Sequence, residues 1–107
     1  MSRTNAISFV GIALSLFAAP VAAQTGDATR GLAIARTSCS SCHAIAKGVM
    51  DSPVARAPSF AKLANMPGMT RTALDVGLHT THPKMPNFVV TDAEIDDLSA
   101  YLASIKD

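Results

Sequence analysis

The chain has 107 residues, with nine Lys and Arg against eight Asp and Glu, for a formal net charge of +1. That balance carries no basic excess of the kind a nucleic-acid surface needs. One tyrosine, four phenylalanines and no tryptophan make a modest core, so a single small domain is expected, of the size that often leans on a metal, a disulfide or another staple.

Arg3 precedes an apolar stretch from Ala6 to Ala19, and Pro20-Val21-Ala22-Ala23 closes it with small residues. This is the pattern of an export signal, with cleavage expected between Ala23 and Gln24. A retained membrane anchor is the alternative, but the apolar run is shorter than the roughly 20 residues a bilayer span needs. Residues 1–23 are therefore read as a cleaved signal peptide and residues 24–107 as the mature domain. The expected location is periplasmic or otherwise exported, with no stable membrane insertion after cleavage.

Gln24-Thr25-Gly26 reads as a loose start. Asp27 is placed to cap a helix running through Arg30, Leu32, Ala33, Ala35 and Arg36. That helix leads into Cys39-Ser40-Ser41-Cys42-His43. Two cysteines separated by two residues and followed at once by histidine form the attachment signature of c-type haem. Each thiol can add to one porphyrin vinyl group and leave a thioether, and the histidine beside them can reach the iron. Cys39 and Cys42 are thus candidate covalent anchors and His43 the candidate proximal ligand. Half a zinc site is a second reading, but the chain has no further cysteine pair and only His79 and His82 could complete it. A thioredoxin-like redox pair is a third, and it needs a βαβ context the chain does not offer. An exporting signal suits the first reading, since c-type haem is attached outside the cytoplasm. That compartment would also permit a Cys39–Cys42 disulfide, although so short a loop would stabilise little.

Residues 44–58 hold Gly48, Pro53 and Pro58 and read as an irregular loop. Ser59 can cap a short helix over Phe60 to Ala64, stopped by Met66-Pro67-Gly68. Thr70 can cap the next, with Ala73, Leu74, Gly77 and Leu78 on one face. His79 to Val90 is loop again, broken by Pro83 and Pro86. The last helix is the clearest: Thr91-Asp92-Ala93-Glu94 is a capping box, and Ile95, Leu98, Leu102 and Ile105 follow at helical spacing with Tyr101 beside them. Asp92, Glu94, Asp96 and Asp97 crowd its first turns, where the helix dipole favours acids. No segment asks to be a strand.

A second iron ligand is sought among Met50, Met66, Met69, Met85, His79 and His82. Methionine in a small core is usually filler. Met85 differs because Pro83 and Pro86 frame it and stiffen its loop. It is the preferred distal ligand, with His82 the alternative.

Gly31, Cys39-x-x-Cys42-His43, Met85 and the capped final helix occur in an order that resembles the class I c-type cytochromes over nearly all of residues 27–107. The resemblance implies an all-α cytochrome c fold, three to four short helices wrapped around one covalently attached haem c. It implies that the Pro58 carbonyl accepts the His43 ring N–H, and that Tyr101 crosses the first helix at Gly31. It also implies a small single-electron carrier, not an enzyme, acting as a monomer between redox proteins such as a membrane oxidoreductase, an oxidase or an exported dehydrogenase. Two positions depart from the family pattern. Ala35 stands where an aromatic is common, and Tyr101, the one tyrosine, is committed to the helix crossing and not to the methionine sulfur. Two other functions stay open: a haem enzyme or sensor with an exchangeable sixth position, and a dedicated cytochrome subunit of one dehydrogenase. Lys47, Arg56, Lys62 and Lys84 lie in segments expected around the haem and could form a basic rim for an acidic partner.

Overall fold

A computed structural model describes residues 14–19 and 26–107. The export signal and its Ala23–Gln24 cleavage site fall on residues of which most, 1–13 and 20–25, lie outside the described ones; residues 14–19 carry no helix or strand and are exposed. The described residues form helices α1 (Ala28–Ile34), α2 (Phe60–Ala64), α3 (Arg71–His79) and α4 (Asp92–Ile105). No strand occurs among them, so the fold is all-α. No helix among them is long and apolar enough to cross a membrane.

Each helix begins where its capping residue puts it. Asp27 accepts from the Arg30 amide, Ser59 from Lys62 and Thr70 from Ala73. At Thr91 the capping box closes both ways: the Glu94 amide donates to Thr91 Oγ1 at 3.2 Å and the Thr91 amide to Glu94 Oε2 at 2.8 Å. In each case a side-chain oxygen satisfies one of the amides that a helix start leaves unpaired. Gly68 ends the turn after α2 with a φ of +80°, a backbone state that glycine adopts without a Cβ penalty.

Two local features differ from expectation. The first helix does not run evenly into the cysteine motif. Beyond Ile34 it widens into a π-helical turn, Ala35–Cys39. The Thr37 hydroxyl donates to the Ala33 and Ile34 carbonyls there, a back-bond to the preceding turn. The other is α3, which runs one residue further than read, to His79, and buries none of its residues; Ala73 is exposed, while Leu74, Gly77 and Leu78 are half-buried.

The core lies where α1 crosses α4. Ile95, Leu98, Tyr101, Leu102 and Ile105 are buried on α4, and the last four pack with Ala35 and with Phe60 and Ala64 of α2. Full burial of side chains of the Leu or Ile type contributes about 1.5–3 kcal/mol each. Ala35 is completely buried, so the position where the family often has an aromatic is filled at the crossing by a methyl group packed on larger neighbours. Gly31 makes the close approach possible. A Cβ there would lie 2.8 Å from Tyr101 Cβ and collide with the Asp97 carbonyl. Gly26, expected to be loose, also abuts α4 so closely that a Cβ would collide with the Asp96 carbonyl.

Asp97 explains that second approach. It sits in the acid-rich start of α4, yet it is buried. Its Oδ1 accepts from the Asp27 amide at 2.7 Å, and Arg30 grips both its oxygens at 2.9 and 3.0 Å. The Arg30 guanidinium, helped by the Asp27 amide, holds the Asp97 carboxyl below its ordinary value of 3.8. It is a clamp between the start of α1 and α4, and not only a charge serving the helix dipole.

Candidate functional site

The motif follows the widened turn. The Cys42 and His43 amides donate to the Cys39 carbonyl at 3.1 and 2.9 Å, so the three residues share one tight turn. Both cysteines are half-buried free thiols, not a disulfide. Burial pushes the Cys39 thiol up from its usual range, which keeps it protonated at neutral pH.

His43 is held on several sides. Its Nδ1 lies 2.6 Å from the Pro58 carbonyl. A carbonyl can only accept, so Nδ1 carries a proton, and in the neutral ring the lone pair is on Nε2. The edge of the ring meets Phe60, centroid to centroid 5.9 Å, and Phe60 in turn lies 6.3 Å from Tyr101. The Tyr101 hydroxyl donates to the Ile45 carbonyl at 2.6 Å, tying α4 to the chain just past the motif. Ala44 is pinned at both ends, its amide by Ser52 Oγ at 3.0 Å and its carbonyl by the Phe60 amide at 2.8 Å. Ser52, Phe60 and Ile45 carried no signal in the sequence, because each acts through a contact made only when the 44–58 loop folds back.

Met85 belongs to a separate region. It is half-buried in the loop between α3 and α4, its amide donating to the His82 carbonyl at 3.2 Å. Lys84 beside it has a φ of +67°, the left-handed state that turns the chain sharply. The two histidines nearby are engaged elsewhere. His79 Nδ1 lies 2.7 Å from Asp75 Oδ1, and His82 Nε2 donates to the Gly77 carbonyl at 2.8 Å. Among the described residues no group of three or more His, Cys, Asp or Glu could hold a metal ion, so the zinc reading does not find its ligands. Without strands among the described residues, the thioredoxin-like reading loses its context as well. Of the four cations expected to form a rim, Lys47 turns away to the end of α4, with Nζ 3.4 Å from the Lys106 carbonyl and 3.8 Å from Asp107.

Comparison with known proteins meets this geometry from another side. Residues 26–102 match the family described as cytochrome c oxidase, cbb3-type, subunit III. The chain is also similar to cytochrome c-552 of Bradyrhizobium diazoefficiens, 34% identical over 95 residues that span 89% of this chain and 90% of the relative. The chain belongs to the class I c-type cytochromes. No solved structure gives a significant match. The cytochrome is accordingly a haem c electron carrier, and its working partners are redox proteins. Its residues fit that cofactor: two free thiols three positions apart, one a turn before His43 and one directly before it, sit beside an imidazole whose Nδ1 is tied to a carbonyl and whose Nε2 points away from that bond.

Proposed function

We propose that Cys39 and Cys42 form the two thioethers to haem c, that His43 Nε2 is the proximal iron ligand and that Met85 is the distal one. The observation that carries this reading is the 2.6 Å contact between His43 Nδ1 and the Pro58 carbonyl. It selects the tautomer a metal needs and raises the basicity of the ligating nitrogen. The haem would supply one-electron chemistry at iron. The protein's part would be to hold the iron between His43 and Met85, which would leave no open position for a substrate. A thioether on the distal side favours the reduced state and raises the potential. His82 is the weaker distal candidate, since its Nε2 is already bonded to Gly77. Pro58 and Tyr101 serve as pocket supports, one through the ring nitrogen and one through the chain beyond it.

The cytochrome would then be an exported carrier that passes single electrons between a membrane oxidoreductase, an oxidase or an exported dehydrogenase. Export rests on the residue 1–23 signal pattern. Arg56, Lys62 and Lys84 would steer an acidic partner, and transfer rates that did not fall with rising ionic strength would sink that part. The subunit description of the matching family supports a second reading, a dedicated cytochrome subunit of one oxidoreductase; copurification with a single large partner would favour it. The ligand assignment is tested by the absorption of the oxidised protein. A weak far-red methionine-to-iron band is expected, lost in Met85→Ala and kept in His82→Ala. Its absence from the wild type, or its survival in Met85→Ala, would remove Met85 from the site.

A further inference from the structure

Residues 52–58 form a strap that grips the motif three times. At its start, Ser52 Oγ accepts from the Ala44 amide at 3.0 Å. Two residues on, the Val54 amide donates to the Cys42 carbonyl at 3.2 Å. At its end, the Pro58 carbonyl accepts the His43 ring proton at 2.6 Å. An internal turn, Ala57 amide to Val54 carbonyl at 2.9 Å, sets the distance between the first two grips and the third. Pro53 and Pro58 fix their own φ and hold Ser52 and Ala57 toward extended backbone, so the strap has few conformations of its own.

These grips bracket His43 on both sides of its α-carbon. The Cys42 carbonyl fixes the peptide before it and the Ala44 amide the peptide after it. With both peptide planes held, the direction in which the side chain leaves the backbone is set, and the ring reaches the Pro58 carbonyl at 2.6 Å. Two of the three grips are made by backbone groups that any residue would supply. The Ala44 grip is made by a side chain. Without an oxygen there, the Ala44 amide loses its partner in a half-buried position, which is costly, and the strap is released at the end from which it is registered.

We propose that Ser52 is a positioning residue for the proximal histidine, its hydroxyl setting how strongly His43 Nδ1–H bonds to Pro58 and, through that bond, the electron-transfer equilibrium at the iron. The inference rests on His43 being the ligand. A weaker bond to Pro58 leaves the imidazole less electron-rich and favours the reduced state.

The test compares Ser52→Thr with Ser52→Val, near-isosteric side chains that differ in the hydroxyl. Ser104→Ala serves as a control, since Ser104 Oγ donates to the Tyr101 carbonyl at the far end of α4. In the holoprotein, Ser52→Val should shift the reduction equilibrium toward the ferrous state by about fivefold, the worth of one net hydrogen bond. It should also speed exchange of the His43 ring N–H and the Ala44 amide. Ser52→Thr should restore wild-type values, and Ser104→Ala should change neither. Equal potentials and equal ring N–H exchange in the Thr and Val variants would overturn the proposal, even if Ser52→Val were less stable. Wild-type protein alone also decides: an Ala44 amide that exchanges like an open-loop amide overturns it, and a protected one supports it. Were His43 not the ligand, His43→Ala would keep the wild-type haem spectrum while Ala44 protection still followed the hydroxyl, so the two failures separate.

Discussion

The two sides of the proposed haem site are built by different means. On the His43 side, contacts from other segments do the holding: Ser52 and Pro58 fold back from the following loop, Phe60 meets the ring from α2, and Tyr101 reaches across from α4. On the Met85 side, the holding is local. A hydrogen bond from Met85 to His82, a left-handed Lys84 and two flanking prolines shape the loop, and Val89 after it is fully exposed. Contacts to a packed core open only when the core opens, whereas a turn held by its own residues opens at much lower cost. The proposed proximal ligand, His43, would therefore be fixed by the fold, and the proposed distal ligand, Met85, by its loop and by whatever it binds.

That contrast can be broken at the helix crossing on which the proximal side stands. Gly31→Ala places a methyl group against the Asp97 carbonyl and Tyr101 Cβ. It should destabilise the protein by about 3 kcal/mol or more, the upper end of over-packing, despite alanine's better helix propensity. Denaturant unfolding of the holoprotein measures it. A change under about 1 kcal/mol would mean that the crossing can relax. Next in size is Tyr101→Phe, which leaves the ring in the core and the Ile45 carbonyl without its 2.6 Å donor. A loss of about 2 kcal/mol is expected, with the far-red band unchanged, because the hydroxyl serves the proximal side only.

Acid probes the clamp. The folded Asp97 carboxyl titrates below its unfolded value, chiefly through its hydrogen bonds to Arg30 and also through the Asp27 amide. Its stabilisation is therefore complete above the unfolded carboxylate pKa of about 3.9 and is lost as pH falls through the lower folded value. Thermal unfolding from pH 6 downward, compared with Asp97→Asn, should show a steeper acid limb in the wild type; parallel curves would remove the clamp from the acid transition. The smallest effect belongs to the distal side. Lys84→Gly relieves a side chain at a φ of +67°, and the looser unfolded chain offsets most of that relief. The net should be a gain of about 0.5 kcal/mol at most. If it also quickened exchange of Met85 for an added ligand such as imidazole, local stiffness would be what holds the thioether in place.

Much of this was legible along the chain. The cysteine motif announced its chemistry, and Asp27, Ser59, Thr70 and Thr91 each marked a helix start. Such signals need only a few neighbouring residues, because a cap satisfies an amide within its own turn and the motif's spacing is that of one turn. The capped helices and the apolar period of α4 therefore followed from sequence alone. The tertiary structure decided the rest. Asp97 looked like one more acid at a helix start, yet it binds Asp27 and Arg30, 70 and 67 positions away in the chain. Gly26 looked loose and is packed against α4. Arg71 gave no sign that it would gather Asp75, Asp92 and Asp96 between α3 and α4. The Ser52 strap was hidden in what read as an irregular loop. None of these has a periodicity or a local pattern, because each is a pairing created when distant segments meet. The sequence by itself determined the Cys39-x-x-Cys42-His43 attachment signature, because its spacing is local; the direction in which His43 faces is settled only where the 52–58 strap and α4 close around it.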